Sequence, residues 1–349
     1  MGIVLYCVKL TDPAYEEKIE KETMDIDINN RIETWRMAIS DHLQNPRFDT
    51  EPEYLSEPMK YALKAEGKML RPALCLAATE AVGGDWRNAV KIAAALEIFH
   101  TFTLVHDDIM DGDELRRGLP SVHKAFGDNR ALLSGDTLLI YVYQQLSDIE
   151  ESKFLRVFRA FNDGAMDVCK GQGWDMEFEG SDHVDPQQYE MMIDLKTGAL
   201  TRLACHLGGI MGDGSDEAIA ALSRFGILLG RAFQMQDDLL EVTSSSAAMG
   251  KSLGSDVLNE KNTWIWIDLK SRLTADELKE WHIIQSGGQM TDHHRDQVKQ
   301  WMIHHGTIER ARNLIASWIK EADTLLSSSL FKNTHMLKVL SDLILKRQN

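Results

Sequence analysis

NAVKIAAALEIFHTFTLVHDDIMD, residues 88–111, contains no glycine or proline and repeats its core positions every three to four residues, through Ala93, Leu96, Phe99 and Thr103. That period predicts one long helix, and its apolar run from Ile92 to Phe99, broken by Glu97, predicts a buried one. The end of the stretch is of another kind. Asp107 and Asp111 lie four apart, so both carboxylates leave one face of the helix, with Asp108 about 100° round from the first. Negative charge at a helix C-terminus opposes the macrodipole, which calls for a cation. Arg116 and Arg117 follow at once, in LVHDDIMDGDELRRG, residues 104–118.

Outward from this helix the period of 3.6 continues. Helices are expected over 71–82, 134–148, 154–170, 186–211, 217–242, 264–273, 275–285 and 307–326. Met59 to Leu63 leads into a break at Gly67, and Gly83-Gly84 is a helix stop. No alternating strand of five residues stands out, and the connections are short and polar. The fold class expected is all-α: a single-domain helical bundle around a central cavity, residues 31–349, with residues 1–30 as a loosely attached extension.

Composition agrees. Of 349 residues 44% are apolar, only 7% are aromatic, and there are 7 prolines. The formal charge of −16 argues against a nucleic-acid partner but leaves anionic small molecules open, because a basic pocket fits inside an acidic shell. Cys7, Cys75, Cys169 and Cys205 are widely spaced with no CxxC pair, and reduced thiols are expected. The opening MGIVLYCVKL has no basic residue ahead of its apolar run, and no run of 18 apolar residues occurs. A cytoplasmic protein without a membrane span is the expectation.

A second acid cluster gives the first its meaning. In GRAFQMQDDLLE, residues 230–241, Asp237 and Glu241 are four apart and Asp238 lies beside them. Two such faces across one cavity repel unless divalent cations intervene. Magnesium suits them, since it binds oxygen, keeps waters and takes further ligands from phosphates. An EF-hand fails, because with Asp107 as first ligand the third position is Ile109. A P-loop at Gly250-Lys251-Ser252 fails too, because Ser245 stands where a glycine is needed and no strand precedes it. The cations Lys68, Arg71, Arg116, Arg117, Lys196, Lys251 and Lys261 lie near helix ends or turns. Taken singly each is a surface charge; together they suit phosphate.

In order along residues 55–265, GKMLRP, HTFTLVHDDIMD, RRGLPSVH, SGD, LKTGAL, FQMQDDLLE and GKSLGSD with Lys261 resemble the trans-isoprenyl diphosphate synthases, the polyprenyl synthetase family. The resemblance implies an all-α homodimer that condenses isopentenyl diphosphate with allylic diphosphates. It implies about three Mg2+ ions, held by Asp107, Asp111 and Asp237 with Asp108 and Asp238 in support. Arg116, Lys196 and Lys251 would hold the allylic diphosphate, and Lys261 would also bind substrate. Lys68, Arg71, His100 and Arg117 would bind isopentenyl diphosphate, and Thr197 and Gln234 would face the allylic cation. Glu241 stands where the family has a last Asp, and residues 270–349 carry no matching motif.

Product length, by the same resemblance, depends on the residues four and five before Asp107, Thr103 and Phe102. One aromatic, at the fifth position, resembles short-chain geranylgeranyl synthases, so a C20 product is expected, with farnesyl (C15) or longer chains as the alternative. The helical wheel alone does not choose Phe102, which lies about 140° from Asp107. A class I terpene cyclase would not need Lys68, Arg71 and Arg117, and a non-catalytic partner subunit would be expected to lose one acid cluster. His293-His294 and His304-His305 sit about 16 Å apart on a helix, too far to share a metal, and are expected at the surface. Met191-Met192 and Trp264-Ile265-Trp266 are expected to pack.

Overall fold

Helices carry the architecture of the computed structural model, which describes residues 13–44, 52–64, 67–179, 181, 184–243, 262–286 and 291–345. In chain order they are α1 (Pro13–Leu43), α2 (Glu53–Lys64), α3 (Leu70–Ala81), α4 (Val90–Met110), α5 (Val122–Phe126), α6 (Asp128–Ser147) and α7 (Glu151–Phe178). Then come α8 (Pro186–Ile193), α9 (Ala199–Met211), α10 (Asp216–Thr243), α11 (Trp264–Lys270), α12 (Ala275–Ser286), α13 (Asp292–His304), α14 (Thr307–Leu326) and α15 (His335–Leu345). Between α4 and α5 lies an antiparallel ladder of two-residue strands, β1 (Leu115–Arg116) and β2 (Leu119–Pro120), with Leu115 opposite Pro120 and Arg116 opposite Leu119. Its turn residues, Arg117 (φ 54°) and Gly118 (φ 78°), are both left-handed, as a two-residue hairpin of this twist requires.

The opening stretch becomes a 3-10 turn, Trp86–Ala89, capped by Asp85 on the Arg87 amide (3.0 Å), that runs directly into α4. Ile92, Ala93, Ala94, Leu96, Ile98 and Phe99 are all buried, so α4 is covered on every side along this half. It packs against α1, α3 and α6, while α9 packs against α3, α7 and α10. Residues Trp86–Met110 are long and apolar enough to cross a membrane by composition alone, but most of the segment is buried inside the protein. Helix α1 runs without a break through position 30, with Trp35 and Ile39 fully buried and the Trp35 ring 6.4 Å from that of Trp86.

Some helix limits differ from the expectation for identifiable reasons. Helix α14 spans 307–326 as its period predicts, after Gly306 (φ 70°). Helix α7 does not stop near residue 170 but continues to Phe178 through Gly171 and Gly173. A glycine inside a helix costs about 1 kcal/mol against alanine, and α7 holds three. At Gly164 a β-carbon would meet the Leu203 side chain at 2.9 Å, and at Gly171 it would collide with the backbone of Leu195 and Lys196. At Gly173 it would meet nothing within 4 Å.

The expected helix 186–211 is interrupted by a π-turn over Asp194–Gly198, the LKTG residues themselves. Its N-terminus is set by a capping box, Asp185 accepting from the Gln188 amide (2.8 Å) while the Gln188 side chain accepts from the Asp185 amide (2.9 Å), with Pro186 in the first turn. Trp264, Ile265 and Trp266 are buried, and Met192 is buried while Met191 is exposed. Of the histidines expected at the surface, His305 is only half-buried because Nε2 reaches Glu277 at 2.9 Å, and His294 serves the cap of α13.

Candidate active site

The acids that end α4 do have their cation. Arg116 Nε donates to Asp108 Oδ1 at 2.7 Å and its Nη2 bonds the same oxygen; that nitrogen lies 3.3 Å from Asp113 and 3.9 Å from Asp107. The hairpin makes this possible by turning the chain back over the end of α4. Asp108 is buried, and burial lifts its carboxyl above the usual range while the Arg116 bonds and charge pull it back. Asp107 is partly open, and Asp111, the exposed C-cap residue of α4, bonds its amide to the Asp107 carbonyl.

The π-turn joins the two acid clusters. Lys196 Nζ is 3.6 Å from Asp107 and bonds Asp175 on α7. Burial pulls the Lys196 ammonium down, but the Asp107 and Asp175 charges outweigh it and raise its pKa, so it is firmly charged. On the other side Thr197 Oγ1 donates to Gln234 Oε1 (2.8 Å), and Gln234 Nε2 donates to Asp238 (3.0 Å). Asp238 is buried and also accepts from the Tyr189 hydroxyl. Asp237 and Glu241 are half-buried on the same helix, α10.

An extra residue in a helix needs support, and the π-turn has it on three sides. Gly171 lets its backbone lie against α7, and at Gly230 a β-carbon would sit 2.6 Å from the Gly198 Cα. Arg231 grips Asp194, where the turn begins, through a two-bonded fork at 2.6 and 2.7 Å, and reaches Glu190 at 3.3 Å.

Arg71, His100 and Arg117 gather at the start of α3, and Lys68, three residues before Arg71, is exposed. Arg71 Nη1 donates to His100 Nε2 (3.1 Å), which places the imidazole proton on Nδ1. That buried Nδ1 finds no hydrogen-bond partner among the described residues. Burial, with Arg71, Arg117 and Arg116 adding to it, holds the His100 pKa well below its ordinary value, so the ring is neutral. The Arg117 guanidinium lies against Gly67, so a β-carbon there would push it aside. Arg117 and Met69 (φ 47°) are both non-glycine residues in the left-handed region, and both lie beside these cations. Glu97, one turn before His100, is buried; burial raises its carboxyl against the pull of Arg71 and Arg117.

A cavity of about 460 Å3 lies on the α4 side of the π-turn, and Lys196 and Thr197 also line a smaller one of about 110 Å3 with Asp175, Gln234 and Asp238 on the α10 side. Arg71 and His100 border the larger one on one side, Asp107, Lys196 and Thr197 on another, and Phe102, Thr103, Val168, Cys169 and Gly173 along its length. Phe102 reaches it despite its azimuth, its ring set edge-on to His106 with centroids 4.8 Å apart. Thr103 donates its hydroxyl to the His100 carbonyl (2.8 Å). Lys251 and Lys261 lie outside the described residues, as does GKSLGSD.

Asp175, Tyr189, Arg231 and Glu97 carry contacts at the site that sequence reasoning did not assign. Asp175 gave no local signal, because its partner Lys196 is 21 residues away. Tyr189 and Arg231 gave none, because their partners are 49 and 37 residues away.

Two aspartate-bearing helices joined through the π-turn, with two groups of cations beside them, suit metal-assisted chemistry on diphosphate esters. The sequence profile of the Polyprenyl synthetase family matches residues 52–301. The chain is 36% identical to a geranylgeranyl diphosphate synthase of Methanosarcina mazei over 78% of this chain and 83% of that one. It is 39% identical to a geranylgeranyl pyrophosphate synthase of Geoglobus acetivorans over 69% and 76% respectively. Its fold matches the crystal structure of a geranylgeranyl pyrophosphate synthetase from Pyrococcus horikoshii at a TM-score of 0.85 and 32% identity, covering 93% of this chain and all of the other.

The chain belongs to the polyprenyl synthetase family. It is a prenyltransferase acting on prenyl diphosphates, and that chemistry requires a divalent metal. The donors fit one. Asp107, Asp111 and Asp237 offer only carboxylate oxygen, the set for a hard cation, and among the described residues no three acidic, histidine or cysteine side chains form a ready-made cage. That suits an ion that draws its remaining ligands from water and substrate phosphate.

Proposed function

We propose that this enzyme condenses isopentenyl diphosphate with allylic diphosphates, head to tail, to give geranylgeranyl diphosphate, using about three Mg2+ ions. The observation that carries the reading is the π-turn, which reaches one acid cluster through Lys196 and the other through Thr197 and Gln234. Bound Mg2+ supplies positive charge to the departing diphosphate, with Asp107, Asp111 and Asp237 to hold it.

The chain's own groups do the rest. Arg116 and Lys196, which neutralise Asp108 and Asp107 here, would bind the allylic diphosphate, and Lys251 and Lys261 would add charge. Asp108 and Asp238 stay buried and position their neighbours. Lys68, Arg71, Arg117 and the Nδ1 proton of neutral His100 bind isopentenyl diphosphate. The Thr197 hydroxyl oxygen and Gln234 carbonyl oxygen stabilise the allylic cation formed as the carbon–oxygen bond breaks. The isopentenyl double bond then attacks, and a proton passes to the released diphosphate.

Phe102 closes the cavity at the C20 length, a reading supported by its place in the lining and by the C20 synthases among the relatives. A cytoplasmic homodimer is part of the proposal. Exposed Ile140 on α6 and Met166 on α7, each 57% accessible, support the pairing face, and the free exposed thiol of Cys169 suits a reducing compartment.

The test is a product assay with Mg2+, labelled isopentenyl diphosphate and, separately, dimethylallyl, geranyl and farnesyl diphosphates. A common C20 end point is expected. Stopping at C15 or passing C20 would overturn the role of Phe102, and no condensation by folded protein would overturn the whole reading.

A further inference from the structure

Helix α7 keeps a glycine that its own packing does not require. Gly164 and Gly171 are crowded by α9 and by the π-turn, whereas a β-carbon at Gly173 would meet nothing within 4 Å. Helix interiors disfavour glycine, so one without a packing reason is a standing cost. Gly173 does border the cavity, one turn from Cys169 on the same side of α7, in a space also lined by Phe102 and Thr103 of α4. We infer that Gly173 is a specificity-determining residue, whose missing side chain leaves a lane along α7 for the lengthening prenyl chain.

This rests on the prenyl-cavity reading above. Asp175, two residues further on, bonds Lys196 at the polar end of the cavity, and Val168 lines it more than one turn the other way. Gly173 thus stands along the path of the chain, between head and tail. A side chain there obstructs a long starter more than a five-carbon one, which has little chain to pass it.

The experiment compares wild type, Gly173→Ala and Gly173→Leu with dimethylallyl and farnesyl starters, alongside Tm and sedimentation of each protein. In Gly173→Leu the kcat/KM ratio of farnesyl to dimethylallyl diphosphate is expected to fall at least about tenfold, the scale on which a pocket rejects surplus carbon. Its dominant product is expected to shorten by at least one isoprene unit. Gly173→Ala, which removes the glycine with little filling, is expected to move the ratio less. An unchanged ratio in Gly173→Leu overturns the inference. So does an equal shift in both variants, which traces to the helix backbone, or a loss of Tm or of wild-type association in the leucine variant, which gives the glycine a packing role. If wild type condenses neither starter, the proposed function itself fails. If Phe102→Ala lengthens the product while Gly173→Leu leaves it alone, only this inference does.

Discussion

Losing the Asp107 carboxylate leaves its two cationic neighbours with other partners, since Arg116 keeps Asp108 and Lys196 keeps Asp175. Asp107→Ala is therefore expected to fold normally by circular dichroism while turnover falls at least about a hundredfold, through loss of a metal ligand. Turnover near wild type would remove Asp107 from the metal site. His100 makes a prediction about pH. In the unfolded chain its value is about 6.5, and in the folded protein it lies well below. The neutral ring thus contributes stability that is whole above about pH 6.5 and is lost as pH falls toward the folded value. His100→Gln is expected to flatten the fall in unfolding free energy below that pH by up to about 1.4 kcal/mol per pH unit. Equal slopes in the two proteins would show that the ring is charged or exposed.

At the scale of elements the π-turn is the feature that no residue pattern announces. An i→i+5 turn has the same composition as the helix around it, so LKTG is legible as a motif but not as a break. Helix α14 was legible over its whole length because its period runs unbroken from the Gly306 start to Leu326. The end of α7 was not, because Gly171 meets another backbone instead of ending the helix. The acid clusters and cations could be read locally, since spacing on one helix fixes their faces. Tyr189 and the Arg231–Asp194 fork depend on contacts between distant helices and could not.

The fork also yields the prediction for this scale. Arg231→Gln is expected to lower kcat at least about tenfold, because a small displacement of Lys196 and Thr197 misplaces their reacting neighbours. The KM for isopentenyl diphosphate, bound by other elements, should stay within about twofold. Steady-state kinetics checks both, and an undiminished kcat would show that Gly171 and Gly230 hold the turn unaided.

For the whole molecule, the proposed pairing face carries the exposed apolar side chains Ile140 and Met166 of α6 and α7. Ile140→Glu places a charge on that face and is expected to weaken self-association at least about tenfold in sedimentation equilibrium. An unaltered dimer would move the interface elsewhere. The acidic total of −16 does not reach into the cavity as a uniform field, because Arg71, Arg116, Arg117 and Lys196 border it or its approaches. An acidic shell with a cationic lining is the arrangement expected for anionic substrates.

Arg116 and Lys196 already lean on Asp107 and Asp108 before any substrate arrives. These acids are therefore not a wound that a metal must close, as in proteins that collapse without zinc. On the proposed reading the ion would come and go with the diphosphate, as a reagent rather than a rivet. A chelator should silence the enzyme while leaving its melting temperature within about 2 °C, and added Mg2+ should restore full turnover at once. A large drop in melting temperature would mean that the fold itself leans on the ion.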